Sequence, residues 1–403
     1  MRKLLEVYKS LHVDKRNAGL EIVPFKYNMQ LDEFGKSKAK GHDLQLYDVH
    51  SEAAFYSVKG VCDKTYRVFA FIGKPTTPMP KNGYPAVVLA HGGAGIAYFE
   101  WVEHWVSRGY VAIAPDLGGH YAKNGLERNL PNDIGSPEGE VERMGSFFQT
   151  NDVENSWMYF GVTALGTAIN ALQEYTKIDM EKLALVGISW GGVLSLHTAG
   201  VEPRFKAVSI IYSSAFITNT TWAMETHNVK SLMARELSIY GEYLDPSASI
   251  EGIRCPILFT AGMDDAAFTM LNRKLTIDKI QSCKTFAFRP HFVHGHWEGW
   301  TPMESYLFTD VALGISSALP SISMDVTDGV ARIEIQNAQE KCKIYVCYTT
   351  EMLDRQVNQS YEEIQVDLTD AECIFELPNG TTACFARYIM KDGASFSTNL
   401  IMV

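Results

Sequence analysis

The 403-residue chain has no tract of basic residues, no CxxC pair, no internal repeat, no low-complexity segment and no apolar run long enough to cross a bilayer. Each absence removes a class of function. Its 36 Lys and Arg are scattered and outnumbered by 47 Asp and Glu, giving a formal charge of −11, so nucleic acid is not expected as a partner. Apolar runs fall short of the ~18 residues that a membrane span needs, so no membrane partner is expected either. The opening MRKLLEVYKSLHVDKRN breaks its apolar residues with charge and lacks the continuous core of a signal peptide. A cytoplasmic protein is the expectation, or an exported one if a leader has been removed. The cysteines are seven, an odd number, at positions 62, 255, 283, 342, 347, 373 and 384. None is spaced for zinc, and reduced thiols are expected, although the last four can pair if the chain is exported.

What the chain does have is an alternation. YRVFAFIG (66–73), YPAVVLAHG (84–92), GYVAIAPD (109–116), KLALVGIS (182–189), FKAVSIIYS (205–213), CPILFTAG (255–262) and CKTFAFRP (283–290) have the length and apolarity of strands. Being apolar almost throughout, they suit a mainly parallel sheet covered on both faces. FEWVEHWVSRG (99–109), residues 151–175 and AAFTMLNRKLTI (266–277) fall between them as helices, which is the order of an α/β fold. After Leu319-Pro320 the rhythm becomes that of short alternating strands. The predicted organisation is an extension over residues 1–60 that packs on the main domain, an α/β domain over 61–319, and a β-sandwich of the Ig/FN3 kind over 320–403. A sandwich with its own core predicts that residues 1–318 fold without it. Two long insertions, 117–150 and 214–252, are expected to wall or cover a site.

The junction between one strand and the next helix reads Gly187-Ile188-Ser189-Trp190-Gly191. G-x-S-x-G in that setting is the elbow that exposes a nucleophilic serine in α/β-hydrolases. A hydroxyl needs a base to take its proton and an acid to orient the base, in the chain order Ser, Asp or Glu, His. Asp264 and Asp265 follow one strand, and His291, His294 and His296 follow the next, so each role has more than one candidate. Three clustered histidines also suit a metal, but Glu298 is the one carboxylate beside them, and no metal is expected. AHGGAG (90–95) offers an oxyanion donor after a strand. The N–H groups of Gly93 and of Trp190, the residue after the nucleophile, form the expected pair.

These motifs, with RGYVAIAPDLGG, KIDMEKLALVGISWGG and HGHWEGW between and after them, resemble α/β-hydrolases, most of all the dienelactone hydrolase and acetyl xylan esterase-like group, distant relatives of prolyl oligopeptidase. The resemblance covers about residues 60–315. It implies an acid three residues after a glycine, which is Asp265 after Gly262, and a base at the first histidine of H-G-H, which is His294. Dienelactone hydrolases themselves use a cysteine nucleophile, and Ser189 in its place implies an ordinary serine carboxylesterase without a cofactor. The substrate implied is a small-molecule or carbohydrate ester with a small acyl group, acetyl among them. Homo-oligomerisation stays open. Of the aromatic residues near the motifs, Trp190 and Trp222 are the candidates for substrate contact. A peptidase of the prolyl oligopeptidase or dipeptidyl-peptidase type is the alternative, its amine site drawn from Glu100, Glu103, Glu142 or Glu154. A catalytically silent binding protein on the same fold is the third reading.

Overall fold

The computed structural model describes residues 2–12, 18–23, 50–61, 64–93, 95–118, 148, 152–220, 223–224, 229, 232–337, 342–353, 359–367 and 372–403. Most of 117–150 lies outside the described residues, as do Phe147, Glu142, Trp222 and Cys62. The chain divides into two compact units, Met1–Leu185 with Ala234–Leu244, and Val186–Met233 with Asp245–Val403. No helix among the described residues is long and apolar enough to cross a membrane.

The first unit holds a short helix α1 (Arg2–Val7) and strands β1 (Glu21–Val23), β2 (Ser51–Val61), β3 (Lys64–Gly73), β4 (Tyr84–Ala90), β5 (Val111–Pro115) and β6 (Ile178–Ile188), the last running on into the second unit. Their order is β1-β2-β3-β5-β4-β6. Part of the expected extension is therefore sheet, because β2 pairs antiparallel with β3 from Ser51↔Gly73 to Val61↔Lys64. β4 and β5 are parallel, and α2 (Phe99–Ser107) makes the crossover that parallel neighbours require. Every residue of β5 is buried, as the unbroken apolar run predicts. Helix α3 (Trp157–Tyr175) starts at Ser156, whose hydroxyl accepts the Tyr159 N–H at 3.1 Å.

The second unit continues with α4 (Trp190–Val201), β7 (Ala207–Ile211), β8 (Ile257–Gly262), α5 (Met270–Lys279), β9 (Lys284–Arg289), α6 (His296–Trp300) and α7 (Glu304–Ala312). β7, β8 and β9 are parallel, with Ile211 opposite Thr260 and Gly262 opposite Arg289. Their carboxyl ends thus share one edge, and the loops that follow emerge side by side.

The rest of this unit is all strand: β10 (Ser321–Thr327), β11 (Val330–Gln336), β12 (Lys343–Thr349), β13 (Glu362–Val366), β14 (Glu372–Glu376), β15 (Ala383–Ile389), β16 (Ser395–Ser397) and β17 (Ile401–Met402). β10, β11 and β14 form an antiparallel sheet of three. Its alternating inward residues Ala331 and Ile333 meet Val346, Tyr348, Cys384 and Ala386 of β12 and β15 in one apolar core, the predicted sandwich. The second layer does not end with the sandwich. β16 pairs antiparallel with β9 at Ser397↔Phe286, and the Phe288 N–H donates to Ser397 Oγ at 2.9 Å. Within this unit the order β7-β8-β9-β16-β15-β12-β13 joins the parallel strands to the sandwich. The six cysteines among the described residues are free thiols.

Candidate active site

Ser189 stands between β6 and α4 with φ 55° and ψ −119°, a left-handed conformation rare for any residue with a Cβ. The local sequence permits it. A Cβ on Gly187 would run into Gly191 O and Ser195 Oγ, so the turn closes because residue 187 is glycine. The Ser189 N–H donates to Ile211 O at 2.8 Å, fixing the turn to the end of β7. Its side chain makes no helix-capping bond. Instead Ser189 Oγ lies 2.8 Å from His294 Nε2.

The candidate acid and base come from the two loops that leave β8 and β9. His294 Nδ1 is 3.1 Å from Asp265 Oδ1. Asp265 is in turn held by the N–H groups of Ala267 at 2.9 Å and Phe268 at 3.2 Å, both on Oδ1. Its carboxylate leaves His294 one consistent tautomer, with Nδ1–H donating to Asp265 and Nε2 accepting from the Ser189 hydroxyl. Asp264 turns the other way. It accepts the Phe292 N–H at 3.1 Å and pairs with His291 at 3.2 Å, both side chains largely exposed. His296 begins α6. Of the residues that sequence leaves open, the structure brings together Ser189, Asp265 and His294.

Two features of this cluster have no signal in the motifs. Arg273, from α5, donates to Asp265 Oδ2 and to Gly262 O, the latter at 3.0 Å. Burial by itself raises the Asp265 pKa, but the Arg273 guanidinium and the bond from His294 outweigh it and hold the carboxyl below its usual range. The second feature is a pair of rings that flank the imidazole. Tyr212 stacks on it at 4.7 Å between centroids, and Phe268 lies at 6.1 Å with an interplanar angle of 10°. Tyr212 also has a positive φ, 58°, just past β7, and burial drives its hydroxyl pKa well up.

The turn carrying Gly93 follows β4 in the first unit, where Gly93 is half-buried. Preceding it, His91 is buried between two backbone groups. Its Nε2 accepts the Leu117 N–H at 2.8 Å, so its Nδ1–H donates to Gly92 O at 2.8 Å and steadies the turn. Trp190 is buried at the start of α4. The glutamates considered for an amine site differ. Glu103 is buried and accepts from the His50 N–H at 3.1 Å and from the Ser51 hydroxyl, Glu100 is buried, and Glu154 is exposed. No group of His, Cys, Asp and Glu that could hold a metal ion occurs among the described residues.

A buried carboxylate, an oriented imidazole and a hydroxyl in line can remove the serine proton and return it to a leaving group. The comparisons with known proteins bear on the family and on the class of reaction. The family model for the dienelactone hydrolase family matches residues 69–295. The acetyl esterase Axe7A of Xylanibacter ruminicola is 25% identical over 271 residues, 62% of this chain and 57% of that protein. A probable carboxylesterase M8 of a Phoma species is 26% identical over 181 residues, 42% of this chain and 47% of that protein. The chain thus spans about half the length of these relatives. Among solved structures, acetyl xylan esterase 1 from Thermoanaerobacterium superposes with a TM-score of 0.52 at 16% identity, covering 77% of this chain and 93% of that one, a likeness of fold.

Proposed function

From the premise that this chain belongs to the dienelactone hydrolase family, we propose that it is a serine carboxylesterase that removes a small acyl group, acetyl first, from a carbohydrate or related polyol. The observation that carries the reading is the line from Ser189 Oγ through His294 to Asp265, with 2.8 Å and 3.1 Å between the heavy atoms. The esterase names of the two relatives support the reaction class, and the acetyl ester named in one of them supports the acyl group.

In this reading Ser189 Oγ attacks the ester carbonyl as His294 Nε2 takes its proton. Asp265 stabilises the imidazolium without accepting the proton. The Trp190 N–H at the start of α4 stabilises the oxyanion. Gly93 enters as the second donor on the strength of its motif. His294 then protonates the leaving alcohol, and water, activated by the same imidazole, hydrolyses the acyl-enzyme. An oxygen nucleophile with this relay is suited to an ordinary ester.

The test is labelling with a fluorophosphonate, followed by hydrolysis of a series of chromogenic esters. Ser189→Ala is expected to abolish labelling, and acetyl esters are expected to outrun butyryl esters, with octanoyl esters barely cleaved. Each methylene is worth about 1–3 kcal/mol, so the decline should be graded. Labelling that survives in Ser189→Ala would sink the mechanism, and a maximum at long acyl chains would sink the acyl assignment.

A further inference from the structure

Arg273 is buried to zero exposure, and the chemistry above makes no use of it. Its two terminal nitrogens have separate tasks. Nη2 donates to Asp265 Oδ2, and Nη1 donates to Gly262 O at 3.0 Å, the last residue of β8. The fork thus straps the end of the strand to the acid three residues later. Both partners of the ion pair are fully buried, with side chains at 0% exposure. Such pairs add little to stability, because desolvation costs several kcal/mol per ion, and an apolar replacement of similar volume often does as well. A cation kept here asks for another reason.

The bonds on Asp265 supply one. Oδ1 takes the Ala267 and Phe268 N–H groups and faces His294 Nδ1, while Oδ2 takes Arg273. We propose that Arg273 is a positioning residue of the catalytic assembly: it occupies Oδ2, reserves Oδ1 for His294, and keeps the acid charged in a place that would otherwise neutralise it. The proposal rests on the esterase reading of Ser189, Asp265 and His294. Among the described residues, the ionisable groups near this carboxylate include His294 from the β9 loop, Tyr212 from the end of β7, and Asp264 beside it in its own loop, with Arg289 and Glu298 acting on Tyr212.

The sign follows from the charges. Burial pushes the Asp265 pKa up, and Arg273 is the foremost group pulling it down. Without the cation the carboxyl takes up a proton at higher pH, and a neutral acid cannot stabilise the imidazolium. The acid limb of the activity profile must then move to higher pH.

The experiment measures kcat and KM for a chromogenic acetyl ester from acid to alkaline pH in the full-length chain, Arg273→Met and Arg273→Lys, with circular dichroism to confirm folding. In Arg273→Met the acid limb is expected to rise by about one to three pH units, with activity recovering on the alkaline side. Arg273→Lys keeps the charge and loses the fork. Its limb should stay in place while kcat falls roughly ten- to a hundredfold at unchanged KM. A loss that is uniform at every pH in Arg273→Met, with the limb where wild type has it, would mean that the guanidinium only fills space, and overturns the proposal. If Arg273→Met does not fold, Arg273→Lys decides alone, and an unchanged kcat overturns it. A wild-type chain that neither hydrolyses the ester nor labels at Ser189 overturns this proposal and the esterase reading together. An active wild type with an unmoved limb in Arg273→Met overturns this one only.

Discussion

Ser189 holds its left-handed backbone at a cost of about 1–3 kcal/mol, which the bond to Ile211 O and the packing around Gly187 offset. Two variants expected to be inactive separate that strain from the chemistry. Alanine keeps the Cβ and the strain, while glycine relieves it. Ser189→Gly is therefore expected to resist urea better than Ser189→Ala by about 1 kcal/mol, read from the unfolding midpoints. An alanine variant more stable than the glycine variant by about 0.4–1 kcal/mol would show that the turn is unstrained. The paired candidates in the two loops give a second contrast. Asp265→Asn should lower kcat/KM by about ten-thousandfold, and His294→Ala by at least as much. Asp264→Asn and His291→Ala, whose partners lie at the surface, should cost less than about tenfold. Steady-state kinetics decides, and an essential Asp264 would reverse the assignment of the acid. Of the three residues that the structure brings together, Ser189 was legible from its place between two glycines after a strand, whereas Asp265 and His294 were singled out from their neighbours by what the family resemblance implies. Arg273 was not legible. A lone arginine within a predicted helix reads as solvent-facing, and its burial against Asp265 depends on how α5 lies on β8. Tyr212 was hidden for a similar reason, since nothing in the end of an apolar run tells which side chain will meet a histidine more than eighty residues away.

At the scale of elements, the seven runs read as strands all form strands, with ends moved by a few residues, because chain covered on both faces leaves an unbroken apolar signature. β2 gave a weaker signal within residues 1–60, and its place beside β3 comes from pairing rather than composition. The change of rhythm at residue 320 is real, since β10, β11 and β14 open a sandwich with a core of its own. What the rhythm conceals is β16, three residues long, which takes the open edge of β9. A strand that short has almost no periodicity to read, and its partner is remote in sequence. Glu304 reinforces the join by accepting from both Arg289, at the end of β9, and the Ser395 N–H. The expectation that residues 1–318 fold alone therefore meets a physical objection: removing the rest uncovers β9 and takes the Ser395 N–H from the buried Glu304 carboxylate. That truncation is expected to collect as soluble aggregate or pellet in size-exclusion chromatography, whereas the full chain elutes as a defined species. A monodisperse, active 1–318 would show that β16 is dispensable.

For the whole molecule, the charge of −11 acts on whatever approaches it. A neutral acetyl ester should be hydrolysed with little dependence on ionic strength. An ester that carries carboxylates should show a KM that falls several-fold as salt rises from low values, because the repulsion is screened over about 10 Å at 0.1 M. A salt-independent KM for both would mean that the excess acid lies away from the site. The join between β9 and β16 also has a consequence in time. Phe288 and its partner Ser397 are 109 residues apart, and a ribosome adds about 5–20 residues per second. For roughly five to twenty seconds of synthesis, β9 has left the tunnel without the strand that completes it, in a polysome where neighbouring nascent chains present the same unpaired edge. The yield of this protein is then expected to depend on how fast the 109 residues that separate the two partners are translated, before any folded molecule exists whose stability can be measured.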